Sequence, residues 1–375
     1  MIKKTVFLGG EDVSARIEIS KKFMALGYSI EIIGTQDEAI FQKNDISYTK
    51  YTLNREFNIV NDIKTILELR TILKLQEDAT IIHAFDTKPT MYLPLAAFGL
   101  PHIKVVRTIT GMGRIFTEES FKNNILKIIY NFIQKVVNLR VDFTIFQNDD
   151  DYKYFIENNL VKKDETEVIK SSGLDLKKYK VDTEKDLSSL KRELNLSDEK
   201  TFILVGRMVK QKGILYYLEA AKLCYENGYK YNFLLVGQLD TDNSISLEEI
   251  EAYAKYVKYL GRREDVKDLL QISDIFVLPT YYREGVPRVL LEASAIGLPL
   301  IATDMPGCRD VVEDGYNGKL VKIQDSKDLY LKMVDVAESL DFEKYSNNAM
   351  IKVKEFDLDK IVNKYDKVYK SLGEN

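Results

Sequence analysis

IFVLPTYYREGVPRVLLEASAIGLPLIATD, residues 275–304, decides the fold. IFVLPT (275–280) is a short apolar run closed by a proline, the mark of a buried strand. PRVLLEASAIG (287–297) follows as a helix, with Pro287 placed for a first turn and Gly297 as its stop. LIATD (300–304) is a second apolar strand. A strand, a helix and a strand in so short a span make a parallel crossover unit. Two carboxylates interrupt it: Glu284 in the approach loop and Glu292, expected about two turns down an otherwise apolar helix.

The same alternation extends upstream. TFILVGRM (201–208) and YNFLLVGQ (231–238) are strands, and KGILYYLEAAKLCYENG (212–228) and SLEEIEAYAKYVK (246–258) are helices. A charged, weakly structured span, 176–200, precedes them. Before it the pattern runs once more, with strands expected at 4–9, 29–34, 80–85, 102–110, 142–148 and 166–175 and helices at 12–27, 58–75, 89–99 and 120–138. The expected fold is α/β, with two Rossmann-like doubly wound domains facing across a cleft. Their expected limits are 1–175 and 176–355, with 356–375 a C-terminal helix packing back on the first domain. In such sheets ligands sit beyond the carboxyl ends of the strands.

Bulk properties narrow the function. The 375 residues are 45% apolar and 30% charged, with a net charge of −4, so nothing favours nucleic acid as a partner. Two cysteines, Cys224 and Cys308, build neither a disulfide framework nor a four-cysteine metal site, which fits a reducing cytosol. MIKKTVFLGGEDVS (1–14) only faintly imitates a signal peptide, and no apolar run is long enough to span a bilayer.

The polar residues after the strands are the candidates for chemistry. Gly9 and Gly10 follow the first strand and permit a close backbone approach, although a plain turn explains them as well. GRMVKQKG (206–213) sets Arg207 at a strand end and Lys212 at a helix start. Two such cations suit a diphosphate, and a solvated basic loop is the alternative. Backbone N–H groups near Gly285, Val286 and Pro287 can hold phosphate. Glu284 and Glu292 then read as acceptors for sugar hydroxyls; the alternative pairs Glu292 with Arg288 on a solvent face. TDMPGCRDVVEDGYNGKLV (303–321) is expected to line the same cleft. In the first half, HAFDTKP (83–89) presents His83 and Lys88, and RTITGMG (107–113) presents Arg107 and Gly111. His83 falls inside an apolar strand and fits a buried, satisfied histidine better than an acid–base group. No spacing suggests a metal site.

In combination these motifs resemble the retaining nucleotide-sugar glycosyltransferases of the GT-B fold, family 4. EGVPRVLLEASAIGLPLIATDMPG carries the E-x7-E pair, GRMVKQKG the R-x4-K phosphate motif, and GYNG (315–318) the closing turn. HAFDTKPTMYLPLAAFGLP (83–101) and RTITGMGRIF (107–116) are similar to a branch that elongates polyprenyl-diphosphate-linked glycans for surface polysaccharide or N-glycan assembly. The resemblance implies that Arg207 and Lys212 neutralise the departing diphosphate of a UDP-sugar. It implies that Glu284 contacts the donor hexose and Glu292 the ribose. Gly9 and Gly10 lie near the phosphates, and neither cofactor nor metal is required. Many relatives read HxH where this chain has Phe85, so Lys88 joins the catalytic candidates, with Arg107, Gly111 and His83 on the acceptor side.

The segment 120–141 contains Lys122, Lys127, Lys135 and Arg140 and no acidic residue. It reads either as an ordinary covering helix or as one whose basic edge meets an anionic membrane. The expectation is a cytoplasmic protein, peripheral on the inner face of the cell membrane, acting on a polyprenyl-linked glycan. The sequence names neither donor sugar nor acceptor and specifies no oligomeric state. A nucleotide-sugar epimerase of the same fold and a non-catalytic two-lobed sugar-binding protein are the competing classes. The crowded phosphate motifs and the lack of a signal peptide count against the second.

Overall fold

The structure is a computed structural model that describes residues 4–54, 56, 58–77, 80–116, 120–240 and 244–373. The basic start of the signal-like stretch, residues 1–3, and the last two residues of the C-terminal segment lie outside the described residues.

Residues up to Gly173 and those from Leu358 onward form one compact unit, and Leu174–Asp357 forms the other. The first unit holds β1 (Lys4–Leu8), β2 (Ser29–Gly34), β3 (Ser47–Lys50), β4 (Thr80–Ala84), β5 (Ile103–Ile109), β6 (Phe143–Phe146) and β7 (Thr166–Val168). All pair in parallel in the order β3-β2-β1-β4-β5-β6-β7. The second unit holds β8 (Thr201–Val205), β9 (Asn232–Val236), β10 (Lys258–Tyr259), β11 (Ile275–Leu278), β12 (Leu300–Thr303) and β13 (Gly318–Val321). Its order is β10-β9-β8-β11-β12-β13, again parallel throughout.

The strands are apolar because both faces are covered. Along β1, Phe7 enters one core cluster while Val6 and Leu8 enter the cluster on the opposite face. In the second unit, Ile203 and Leu204 of β8 divide in the same way. The Leu358–Gly373 helix buries Ile361, Tyr365 and Tyr369 in the cluster that contains Phe7 and Phe23.

Some expectations differ from what is observed. The helix expected over 246–258 ends at Glu251, because Lys258–Tyr259 pairs with β9 as an edge strand. The span 176–200 contains a short helix, Ser188–Glu193, with Leu190 and the following Leu194 buried. The helix after β11 runs Arg288–Ile296 with Pro287 as its N-cap, so Glu292 lies about one turn in rather than two.

Each sheet reverses its strand order once, between β1 and β4 and between β8 and β11. Open parallel sheets bind ligands at such points.

Candidate active site

In the second unit three loops at the switch point are bonded into one block. After β8 the chain makes a single 3-10 turn, Lys210–Lys212, and Gly213 leads into the Ile214–Glu226 helix. Gly213 has φ +76°, and a Cβ there would lie 1.9 Å from the Pro279 carbonyl oxygen. Only glycine permits this approach of the loop after β8 to the loop after β11. The Gln211 carbonyl accepts from Tyr281 N–H at 2.9 Å and from the Thr280 hydroxyl at 3.0 Å. The Thr303 hydroxyl, at the end of β12, donates to the Thr280 carbonyl.

This scaffold fixes two of the expected residues against each other. Lys212 Nζ lies 2.6 Å from Glu284 Oε1, and both side chains are largely shielded. Lys212 is the last residue of the 3-10 turn, two positions before its helix begins. Arg207 is more exposed and donates to Asp240 Oδ2, in the loop after β9, at 2.8 Å. Gly285 lies under the loop after β12: a Cβ on Gly307, at φ +82°, would meet the Gly285 carbonyl oxygen at 2.1 Å. Beside it, burial pushes the Cys308 thiol pKa up, and the Glu284 charge adds to the shift. Gly285, Val286 and Pro287 lead straight into the Arg288–Ile296 helix, whose N-terminus has no side-chain cap. The start of a helix of this kind favours an anion, and within it the Leu290 N–H is already taken by the Pro287 carbonyl at 3.1 Å.

Glu292 is buried and is also paired with Arg288. Its Oε1 accepts from Arg288 Nε at 3.0 Å and from the Tyr179 hydroxyl at 2.7 Å. Oε2 carries no bond among the described residues. Tyr179 is held protonated by burial and by the neighbouring carboxylate. Glu292 is therefore not the solvated half of a surface pair.

In the first unit, Gly10 N–H donates to Asp86 Oδ2 at 2.9 Å, which joins the ends of β1 and β4. Asp86 has φ 69° and ψ 156°, a region that non-glycine residues avoid at a cost of about 1–3 kcal/mol. Gly10, Asp86, Lys88, Glu11 and Asn54 line a cavity of about 280 Å³. The Gly9 carbonyl accepts from the Tyr51 hydroxyl at 3.0 Å.

The remaining first-unit candidates are held by protein groups. Lys88 is buried and donates to the carbonyls of Asn54 (2.8 Å) and Glu56 (2.7 Å) and to Asp62 Oδ1 (3.1 Å). His83 is fully buried, with Nδ1 2.5 Å from the Tyr369 hydroxyl and Nε2 2.7 Å from that of Thr108. Burial holds its pKa well below the usual histidine value, and the Arg16 charge adds to this. Arg107 is also fully buried. It donates to Thr144 Oγ1 (3.1 Å), Gln134 Oε1 (2.7 Å) and Asn138 Oδ1 (3.2 Å), and burial lowers its pKa to about 10. Gly111 follows β5 at φ 128°. The Asn317 of GYNG is buried and accepts from Glu313 N–H at 2.8 Å while donating to the Val311 carbonyl at 2.9 Å, so it shapes its own turn.

Sequence reasoning missed Tyr179, Asp240 and the role of Asp86. The first two lie outside any motif, and no spacing links them to Glu292 or Arg207. Among the described residues no group of three histidine, cysteine or acidic side chains could hold a metal ion.

Two all-parallel sheets, each with one reversal of strand order, make the chain a pair of Rossmann-like units of the GT-B fold class. The chain belongs to the family described as Glycosyl transferases group 1, whose model matches residues 188–351, and it is a glycosyltransferase. It is 32% identical over 272 residues to the N,N'-diacetylbacillosaminyl-diphospho-undecaprenol alpha-1,3-N-acetylgalactosaminyltransferase of Campylobacter jejuni, spanning 71% of this chain and 70% of that protein. It is 29% identical to the UDP-Gal:alpha-D-GlcNAc-diphosphoundecaprenol alpha-1,3-galactosyltransferase of Escherichia coli, spanning 85% of this chain and 82% of that one. The solved structure of Anabaena Alr3699/HepE in complex with UDP and glucose shares the fold, with a TM-score of 0.79 and 20% identity over 98% of this chain and 100% of that one.

Proposed function

We propose that this glycosyltransferase moves a hexose or N-acetylhexosamine from a UDP-sugar to a polyprenyl-diphosphate-linked saccharide, with retention of anomeric configuration, in bacterial surface glycan synthesis. The work is done in the cytoplasm at the inner, anionic surface of the cell membrane. The Campylobacter and Escherichia relatives support the lipid-linked acceptor, and their alpha-linked products support retention.

The observation that carries the proposal is the Lys212–Glu284 pair beside the uncapped Arg288–Ile296 helix. Transfer breaks the bond between the anomeric carbon and the diphosphate oxygen, and negative charge grows on the leaving group. Lys212, Arg207 and the N–H groups after Gly285–Val286–Pro287 meet that charge, and such fixed donors stabilise the transition state more than the ground state. The diphosphate competes with Glu284 for the ammonium, which frees Glu284 to accept from the sugar hydroxyls. Glu292, anchored through Oε1, offers Oε2 to the ribose. The second unit thus takes the nucleotide sugar. The first takes the acceptor at the ends of β1, β4 and β5, with Gly9 and Gly10 on the phosphate side and Gly111 on the acceptor side. Lys88, His83 and Arg107 hold the walls of that region in place. No metal is needed where two cations and a helix start supply the positive field.

The test is product formation from a panel of UDP-sugars and polyprenyl-diphosphate-linked acceptors, resolved by mass and by anomeric linkage, with and without excess EDTA. An inverted linkage rejects retention. Loss in EDTA that only a divalent ion restores rejects metal independence. A new nucleotide sugar formed without acceptor identifies an epimerase.

A further inference from the structure

The Phe121–Asn138 helix packs Tyr130, Ile133 and Val137 inward and leaves a second apolar side facing out. Phe121, Ile128, Phe132 and Leu139, spaced to share one side, are 83%, 70%, 67% and 77% exposed. Its inward side is also partly polar. Gln134 is buried and, with Asn138, accepts from the fully buried Arg107 guanidinium. Removing either amide would leave part of a buried cation without an acceptor, so these bonds hold the amides inward and the apolar stripe outward.

The outward side continues across neighbouring helices. Arg70, on the Ile59–Leu73 helix, donates to the carbonyls of Ala96 (2.9 Å) and Phe98 (2.6 Å) at the end of the Thr87–Ala96 helix. From the other side Arg140 donates to the carbonyls of Ala97 (3.1 Å) and Leu100 (2.8 Å) on the same turn. Three helices are thus joined in one layer. Phe98 projects from the shared turn, and Ile59, Ile63 and Leu67 are exposed along the first of the three. The charge on this layer is sorted. Lys122 and Lys135 are exposed and Lys127 half-buried on the apolar helix, which has no acidic residue. On the Ile59–Leu73 helix, Asp62 holds Lys88 and Glu68 accepts from Thr52 N–H.

We propose that this three-helix face, with the Phe121–Asn138 helix at its centre, is the surface by which the protein docks on an anionic lipid bilayer. The inference rests on the proposed action at a lipid-linked acceptor and supplies the part of the molecule that meets the lipid. Among the described residues no helix is long and apolar enough to cross a membrane, so this one lies in the headgroup plane, its apolar residues in the acyl boundary and its lysines among the phosphates. A symmetric pairing of two copies through this helix would set lysines against lysines with no carboxylate on it to meet them, which disfavours self-association.

The full chain is tested by flotation with vesicles of phosphatidylglycerol and phosphatidylethanolamine in equal parts, and with pure phosphatidylcholine vesicles. Wild type is expected to float with the anionic vesicles and to remain behind with the neutral ones. Replacing Lys122, Lys127 and Lys135 together by Gln should weaken anionic binding roughly 100-fold. Ile128→Ser with Phe132→Ser should weaken it at least about 10-fold. UDP affinity, the thermal melt and transfer to a water-soluble, lipid-truncated acceptor should be unchanged in all variants. Equal flotation of variants and wild type overturns the proposal, as does equal binding to neutral vesicles or a wild-type dimer that Ile128→Ser/Phe132→Ser dissociates. Intact transfer to the soluble acceptor with no vesicle binding refutes the docking surface and leaves the proposed reaction standing. Vesicle binding with no transfer to any acceptor does the reverse.

Discussion

Lys212→Ala separates a catalytic cation from a structural one. The Lys212 and Glu284 side chains are 16% and 22% exposed, so deleting the ammonium leaves a mostly shielded carboxylate without its partner. That should cost about 1 kcal/mol of stability and lower the melting temperature by roughly 2–4 °C. The effect on turnover should be larger. The ammonium meets charge that develops only as the diphosphate leaves, and one such donor is worth about 3 kcal/mol, or roughly 150-fold in kcat. Glu284→Gln provides the control, because it neutralises the partner and keeps Lys212. If the pair mattered only for folding, the double variant would recover both stability and turnover. On the proposed mechanism it recovers stability alone. Steady-state kinetics with saturating donor and acceptor, run beside a thermal melt, decide the matter. A kcat for Lys212→Ala within a few-fold of wild type, with a normal melt, would refute the assignment.

The two glutamates should fail differently: by calorimetry, Glu292→Gln weakens binding of free UDP, whereas Glu284→Gln leaves UDP affinity nearly intact and lowers kcat. The opposite pattern would mean that the hexose and ribose roles are exchanged. Lys88→Met should reduce stability by about 2 kcal/mol in chemical denaturation, because it removes the cation shared by Asp62 and the Asn54 and Glu56 carbonyls; normal stability with lost turnover would make Lys88 a catalytic cation instead. His83 adds an acid-labile term. The folded protein keeps the ring neutral, so its contribution is complete above the unfolded value of about 6.5 and is lost as pH falls from there toward the lower folded value. Stability should therefore fall as pH drops below about 6.5, and His83→Phe should remove that fall from the pH profile of unfolding.

The alternation of strands and helices was legible because central parallel strands are continuous apolar runs, as in TFILV of β8 and IFVL of β11. Of the four edge strands among the described residues, β7 was legible within the strand expected at 166–175, and the other three were not. SYTK of β3 is half exposed, Lys258–Tyr259 is two residues long, and Gly318–Val321 follows a turn that draws the eye first. Within the site, the spacing of Arg288 and Glu292 made their pairing visible, and an apolar strand around His83 pointed to its burial. Tyr179 reaches Glu292 from a distant, charged segment, and a one-dimensional pattern does not encode that approach. Lys88 sits at a strand end, where a ligand contact is reasonable, but the loop carbonyls that surround it come from residues 54 and 56. The facing of the Phe121–Asn138 helix was obscured in another way: periodicity shows that it has two sides, but a buried arginine on β5 determines which one turns inward.

The Leu358–Gly373 helix has a consequence for how the chain is made. Leu174–Asp357 is a continuous stretch, and all of its own partners are present as soon as Asp357 has been synthesised. The first unit, begun earlier, waits longer: Phe23 and His83 gain Tyr369 as a neighbour only when the Leu358–Gly373 helix emerges. The unit nearer the start of the chain is thus completed last. During synthesis, the face of the first sheet that bears Phe7 lacks one of its covering helices until residues 358–373 have been made.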